Sequence, residues 1–91
     1  MTIYSVIATK KATQNLEKVP KRIAKKFKSW AEAVEYHGIR VVRKTKSYHD
    51  EPLQGNRFGQ RSIRLNRSYR AIYIEKTTGL IAVLEVNKHV Y

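Results

Sequence analysis

The chain contains no cysteine. That absence excludes disulfides, thiolate metal sites and a cysteine nucleophile, and it fits a reducing compartment. Acidic residues are scarce: seven Asp and Glu stand against nineteen Lys and Arg in 91 residues, a formal charge of +12. Long apolar runs are missing as well. No stretch is long enough to cross a bilayer, and the N-terminal MTIYSVIATKK is too short an apolar run for a signal peptide. A cytoplasmic chain with no membrane partner is therefore expected. There are no repeats, low-complexity tracts or linkers, and the length leaves no room for a second core, so residues 1–91 are read as one domain.

What is present in abundance is positive charge, unevenly spread. Residues 1–30 carry eight bases and one acid, residues 31–60 five and four, residues 61–91 six and two. Such a balance in one small domain points to a polyanionic partner, either nucleic acid or an acidic protein segment. The plainer alternative is charge that serves solubility alone. Membrane-surface binding fits poorly, because no basic segment also presents a bulky apolar face.

Periodicity outlines an α+β domain. TIYSVIA (2–8) is rich in β-branched residues and reads as a strand. Residues 9–18 read as a short helix with Thr9 as a possible N-cap and Ala12, Leu16 and Val19 near one face. After Pro20, a second helix places Ile23, Phe27, Trp30, Ala31 and Val34 in one apolar stripe, with Gly38 as its C-cap. Trp30 in that stripe reads as core, and Lys21, Lys25 and Lys28 as the solvated side. Alternation then marks strands over about 60–66 and 69–76, with NRS (66–68) as a turn, and LIAVLEV (80–86) follows the turn KTTG. The expected order is an N-terminal strand, two helices and a three-strand antiparallel meander, the helices packed on one sheet face.

The stretch from Tyr48 to Tyr73 carries the candidate chemistry. His49, Asp50 and Glu51 lead into Arg57, Arg61, Arg64, Arg67 and Arg70. One reading is a solvated surface with local ion pairs. The other is a site that holds phosphate while a carboxylate moves a proton. Arg70 shares a strand face with Ile72 and Ile74, so it lies at the sheet's rim or has a function. Arg64 falls on the opposite face if Arg67 and Ser68 form a two-residue loop pairing Ile63 with Ile72; a longer loop, a bulge or strong twist would reunite the two arginines. The three histidines, His37, His49 and His89, are too dispersed to argue for a metal.

The order of these features resembles the RelE/ParE superfamily of bacterial toxins from toxin–antitoxin pairs, over essentially the whole chain. The resemblance is carried by HDEPLQG (49–55), GQRSIRLNRSYRAIY (59–73) and EVNKHVY (85–91). It looks closest to the ribosome-dependent mRNA endonuclease branch, of the RelE, YoeB, HigB and YafQ type; the ParE type instead poisons DNA gyrase and generally lacks the catalytic histidine and acid. The resemblance implies a RelE-like fold, a cognate antitoxin, the ribosome and mRNA as partners, and no cofactor. It matches Glu51 to a catalytic glutamate, Arg70 to the phosphate-stabilising arginine, Arg64 to a second catalytic-site arginine, His89 to a general acid and Tyr91 to an orienting or stacking group. Lys21, Lys25, Lys28, Lys46, His49, Arg57, Arg61 and Arg67 are then expected to grip RNA. A gyrase inhibitor on the same fold and a non-catalytic nucleic-acid-binding module are the alternatives.

Overall fold

Caps and apolar spacing shape the helical half of the molecule. The computed structural model describes residues 3–88. Strand β1 (Ser5–Ala8) leads into helix α1 (Lys10–Lys18), and Thr9 caps that helix by accepting from the Ala12 N–H at 3.1 Å. Helix α2 (Lys21–His37) follows Pro20 and buries Ile23, Phe27, Trp30 and Val34 along one stripe. Trp30 is fully buried, its ring centroid 5.3 Å from Tyr73 and 5.9 Å from Phe27, so it belongs to the core as expected. The one-turn helix α3 (Ile39–Val42) was not foreseen; it adds Ile39 and Val42 to the same core.

Gly38 joins α2 to α3 with φ +90°, its N–H donating to the Val34 carbonyl at 2.8 Å. A Cβ there would stand 2.9 Å from Tyr4 Cε2. Gly38→Ala therefore meets a backbone and a steric penalty together, and is expected to lower stability by more than ~1 kcal/mol. A urea midpoint equal to wild type would refute this.

The remaining strands are β2 (Glu51–Pro52), β3 (Arg61–Arg64), β4 (Tyr69–Thr77) and β5 (Leu80–Lys88), in a sheet ordered β1-β5-β4-β3-β2. The α+β architecture and the meander are as the sequence implies, but β2 adds a fifth strand. It is two residues long and lies at the edge, where Pro52 needs no N–H for a further neighbour. Strand β1 runs parallel to β5, from Ser5↔Leu80 to Ala8↔Val83, so opposite ends of the chain are joined side by side. Ile63, Leu65, Ala71, Tyr73, Ile81, Val83 and Val86 fill the helix-facing side of the sheet.

Two irregularities decide what faces the other way. Opposite Ile72 and Tyr73 on β4 stand Glu85 and Val83, so Leu84 is an extra residue, a bulge. Strict alternation from Ile81 and Val83 would send Glu85 into the helix-side core; the bulge turns it to the opposite face. The second irregularity is the β3–β4 loop. Leu65 N–H donates to the Tyr69 carbonyl at 2.9 Å, and Asn66 Oδ1 accepts from the N–H groups of Ser68 (2.7 Å) and Tyr69 (2.8 Å). The loop is thus three residues, 66–68, not two, and the register is Ile63↔Ala71 and Arg64↔Arg70. Arg64 and Arg70 share one face.

Candidate active site

Register places two rows across the sheet face away from the helices. Glu51, Ser62, Ile72 and Glu85 form one, and Arg64, Arg70 and Asn87 the next. At the β2–β3 end a small cleft, about 70 Å³, opens between His49, Glu51, Arg64, Arg67 and Arg70, with the buried Ser62, the loop residue Asn66 and Tyr69 completing its walls. Five residues singled out from the sequence therefore meet in one place.

The electrostatics of this cleft are unfavourable without a ligand. Like charges directly opposite on adjacent strands repel, and Arg64 and Arg70 occupy such positions. Neither forms an ion pair among the described residues. Arg70 Nε is buried with no hydrogen-bond partner among them, and a buried donor left unmet is costly. Glu51 holds the far side, its carboxylate more than half exposed and 3.9 Å from His49 Nε2. His49 itself adopts a left-handed backbone (φ +48°), uncommon for a residue with a Cβ, where the chain turns into β2.

Asp50 and Glu51 do not act as a pair. The Asp50 carboxylate is 1% exposed and points beneath the sheet edge, where it accepts from Arg61 Nε at 2.6 Å and from the Tyr73 hydroxyl at 2.5 Å, with Arg43 Nε 4.0 Å away. Burial, then the hydrogen bond to Asp50, pushes the Tyr73 phenol far above its ordinary pKa, so it remains a neutral donor. Arg61 is also held more firmly protonated: burial opposes its charge, and the bond to Asp50 outweighs it. Adjacent residues thus point to opposite sides of β2, one as an anchor and one into the cleft. No local pattern in the sequence marks this anchor, because its partners come from β3, β4 and the segment after α3.

No family model and no curated protein matches the sequence. Solved structures do match. The archaeal RelE–RelB complex from Pyrococcus horikoshii aligns at 26% identity over 97% of this chain and 96% of that one, with a TM-score of 0.71. YafQ from E. coli aligns at 17% identity over 94% and 93%, with a TM-score of 0.77. The toxin–antitoxin complex RelBE2 from Mycobacterium tuberculosis aligns at 24% identity over 97% and 100%, with a TM-score of 0.71. The chain has the RelE-like toxin fold.

On this RelE-like fold the other expected RNA contacts are scattered. Arg61 is committed to Asp50 on the helix side of the sheet and does not line the cleft. Arg57 reaches over the open face from the β2–β3 connection, donating to Glu85 Oε2 at 3.0 Å and Gln60 Oε1 at 2.8 Å. Lys21, Lys25 and Lys28 are exposed on α2 and also stand apart from the cleft. Lys46 lies with Arg43 and Lys44 in a neighbouring hollow of about 430 Å³ that meets the cleft at His49 and Glu51. His89 and Tyr91 lie outside the described residues. Among the described residues no group of His, Asp or Glu is arranged to hold a metal ion, and no helix is long and apolar enough to cross a membrane.

Glu85 is the tie between the covering loop and the sheet. Its carboxylate, 10% exposed, accepts from Arg57, from Lys11 at 3.2 Å and from Asn87 at 2.6 Å. Burial alone would raise its pKa, but the hydrogen bonds from Arg57, Lys11 and Asn87 prevail and the net shift is downward. A depressed carboxylate stabilises the fold above the unfolded value, ~4.3 for Glu, and loses that contribution as pH falls through the folded value. Glu85→Gln is therefore expected to cost more stability at pH 7 than at pH 3, measured by urea unfolding. Equal losses at both pH values would remove this assignment.

Proposed function

We propose that the chain is the toxin of a type II toxin–antitoxin pair and that it cuts ribosome-bound mRNA. The observation that carries the reading is Arg64 facing Arg70 across β3 and β4, unpaired by any described acid, with the exposed Glu51 carboxylate lining the same cleft. Two guanidinium groups suit the crowded, doubly charged phosphorane, because each stays charged and can fork onto two oxygens. Glu51 takes the proton from a ribose 2′-hydroxyl, and the 2′-oxygen attacks phosphorus. Arg70 and Arg64 hold the phosphorane, and the 5′-oxygen departs with a proton from His89, an imidazole with a reference pKa of ~6.5. Tyr91 orients or stacks on the substrate. The products carry a 2′,3′-cyclic phosphate and a 5′-hydroxyl, and no step calls for a metal.

Partners follow from charge and from the relatives. The RelBE2 structure is a toxin–antitoxin complex and the archaeal one a RelE–RelB complex, and an acidic antitoxin segment fits the +12 chain. Lys21, Lys25, Lys28 and Lys46 grip ribosomal RNA backbone, and the protein works in the cytoplasm. The test is induction in a bacterial host with mRNA ends and plasmid supercoiling followed side by side. Cleaved mRNA bearing cyclic phosphate ends, blocked by a 2′-deoxy residue at the cut, is expected. Growth arrest with whole mRNA and altered supercoiling would replace this reading with gyrase inhibition.

A further inference from the structure

A second basic hollow, about 330 Å³, lies on the other side of the β3–β4 loop. Lys26 from α2 and Ser47 from the turn Lys46–Tyr48 form one wall, and Arg64, Asn66 and Arg67 the other, over the buried Leu65. Arg64, Asn66 and Arg67 also line the candidate active site. The loop is therefore a shared partition with a cavity on each flank. We propose that this hollow is a second phosphodiester subsite, which holds a neighbouring phosphate of the single RNA strand whose scissile phosphate lies between Arg64 and Arg70.

The chemistry of the lining selects the ligand class. Among the described residues no carboxylate borders the hollow. Asn66 Oδ1 is engaged by the loop backbone, so its NH₂ group is the part left to donate. With the Lys26 ammonium, the Ser47 hydroxyl and the guanidinium groups of Arg64 and Arg67, the described lining is cationic and includes no carboxylate or imidazole. Its described residues suit holding an anion rather than moving a proton. Lys26 is held in place: its Nζ lies 5.2 Å from the centroid of the half-buried Tyr48 ring. Burial raises the Tyr48 pKa, so that ring remains a neutral platform.

The path also selects a single strand. It passes from the open sheet face over a three-residue loop tip to the helix side. A DNA duplex, stiff over ~150 bp, cannot follow that turn, whereas a single strand can. The expected consequence is that affinity depends on nucleotides beyond the scissile bond, while the chemical step does not depend on Lys26.

This inference rests on the cleft being an RNA-cutting site, so its test separates the two. Full-length protein is titrated with fluorescent RNA dinucleotides and hexanucleotides that carry one 2′-deoxy residue and cannot be cleaved. Lys26→Gln is expected to weaken hexanucleotide binding about fivefold, the upper end for one exposed ion pair. It should also reduce the salt slope by ~0.7, the single-strand value for one phosphate, and leave dinucleotide binding unchanged. Lys76→Gln, at the far end of β4 from Arg70, removes the same charge and should do neither. Equal effects of the two variants, or equal effects on both lengths, would overturn the subsite. So would a Lys26 dependence seen only with an acidic peptide and not with RNA. Intact cleavage by Arg64→Ala and Arg70→Ala would instead overturn the function proposed for the cleft, whatever the Lys26 result.

Discussion

Arg70→Ala should slow single-turnover cleavage of ribosome-bound mRNA by roughly 10²–10³, the usual loss when one preorganised transition-state donor is removed. Ribosome affinity should change little, because one of nineteen basic side chains is lost and Arg70 is partly buried rather than on the exposed basic surface. The structure adds a second expectation. Arg70 Nε is buried without a partner among the described residues and Arg64 stands directly opposite, so removing either charge relieves repulsion in the free protein. Arg70→Ala should therefore be as stable as wild type or slightly more stable while being nearly inactive. Arg64→Ala should follow the same pattern. Loss of stability together with activity would show that Arg70 serves the fold. Wild-type cleavage by the Arg70 variant would move the site elsewhere.

Asp50→Ala should produce the largest change in stability. The substitution leaves the Arg61 guanidinium and the Tyr73 hydroxyl without their acceptor in a site where the carboxylate was 1% exposed. Removing one member of a buried charge pair costs about 3–5 kcal/mol, a large share of the 5–15 kcal/mol that holds a typical domain together. Arg61 retains some access to solvent, so the lower end, about 3 kcal/mol, is expected. Asp50→Asn keeps an acceptor for one donor and should lose less. Urea unfolding decides: a loss below ~1 kcal/mol for Asp50→Ala would mean that the network carries little. The same network bears on chemistry. Asp50 anchors the turn whose next residue, Glu51, faces the cleft, so whatever Asp50→Asn retains in stability should be accompanied by a disproportionate fall in turnover.

Local pattern alone determined much of this protein. The positions of α1 and α2, the Thr9 and Gly38 caps, the burial of Trp30 and the alternation of β4 and β5 all follow from neighbours a few residues apart. Spacing and capping are local physics, so they are legible without a partner in view. The overall α+β order was legible for the same reason, and so was the stretch that holds the cleft.

Which side chains share a face was settled only in three dimensions. Arg64 meets Arg70 because Asn66 folds the β3–β4 loop into three residues; a two-residue loop would have parted them, since a slip of one residue turns every side chain to the other face. Asp50 and Glu51, consecutive in sequence, part company because Arg61 and Tyr73 wait beneath β2 for only one of them. Glu85 leaves the core side because Leu84 bulges out of the β4–β5 ladder. The parallel pairing of β1 with β5 joins segments from the two ends of the chain, and no periodicity announces it. In each case the deciding contact is long-range: a strand's alternation says that two faces exist, and only the partner's register says which residues meet on them.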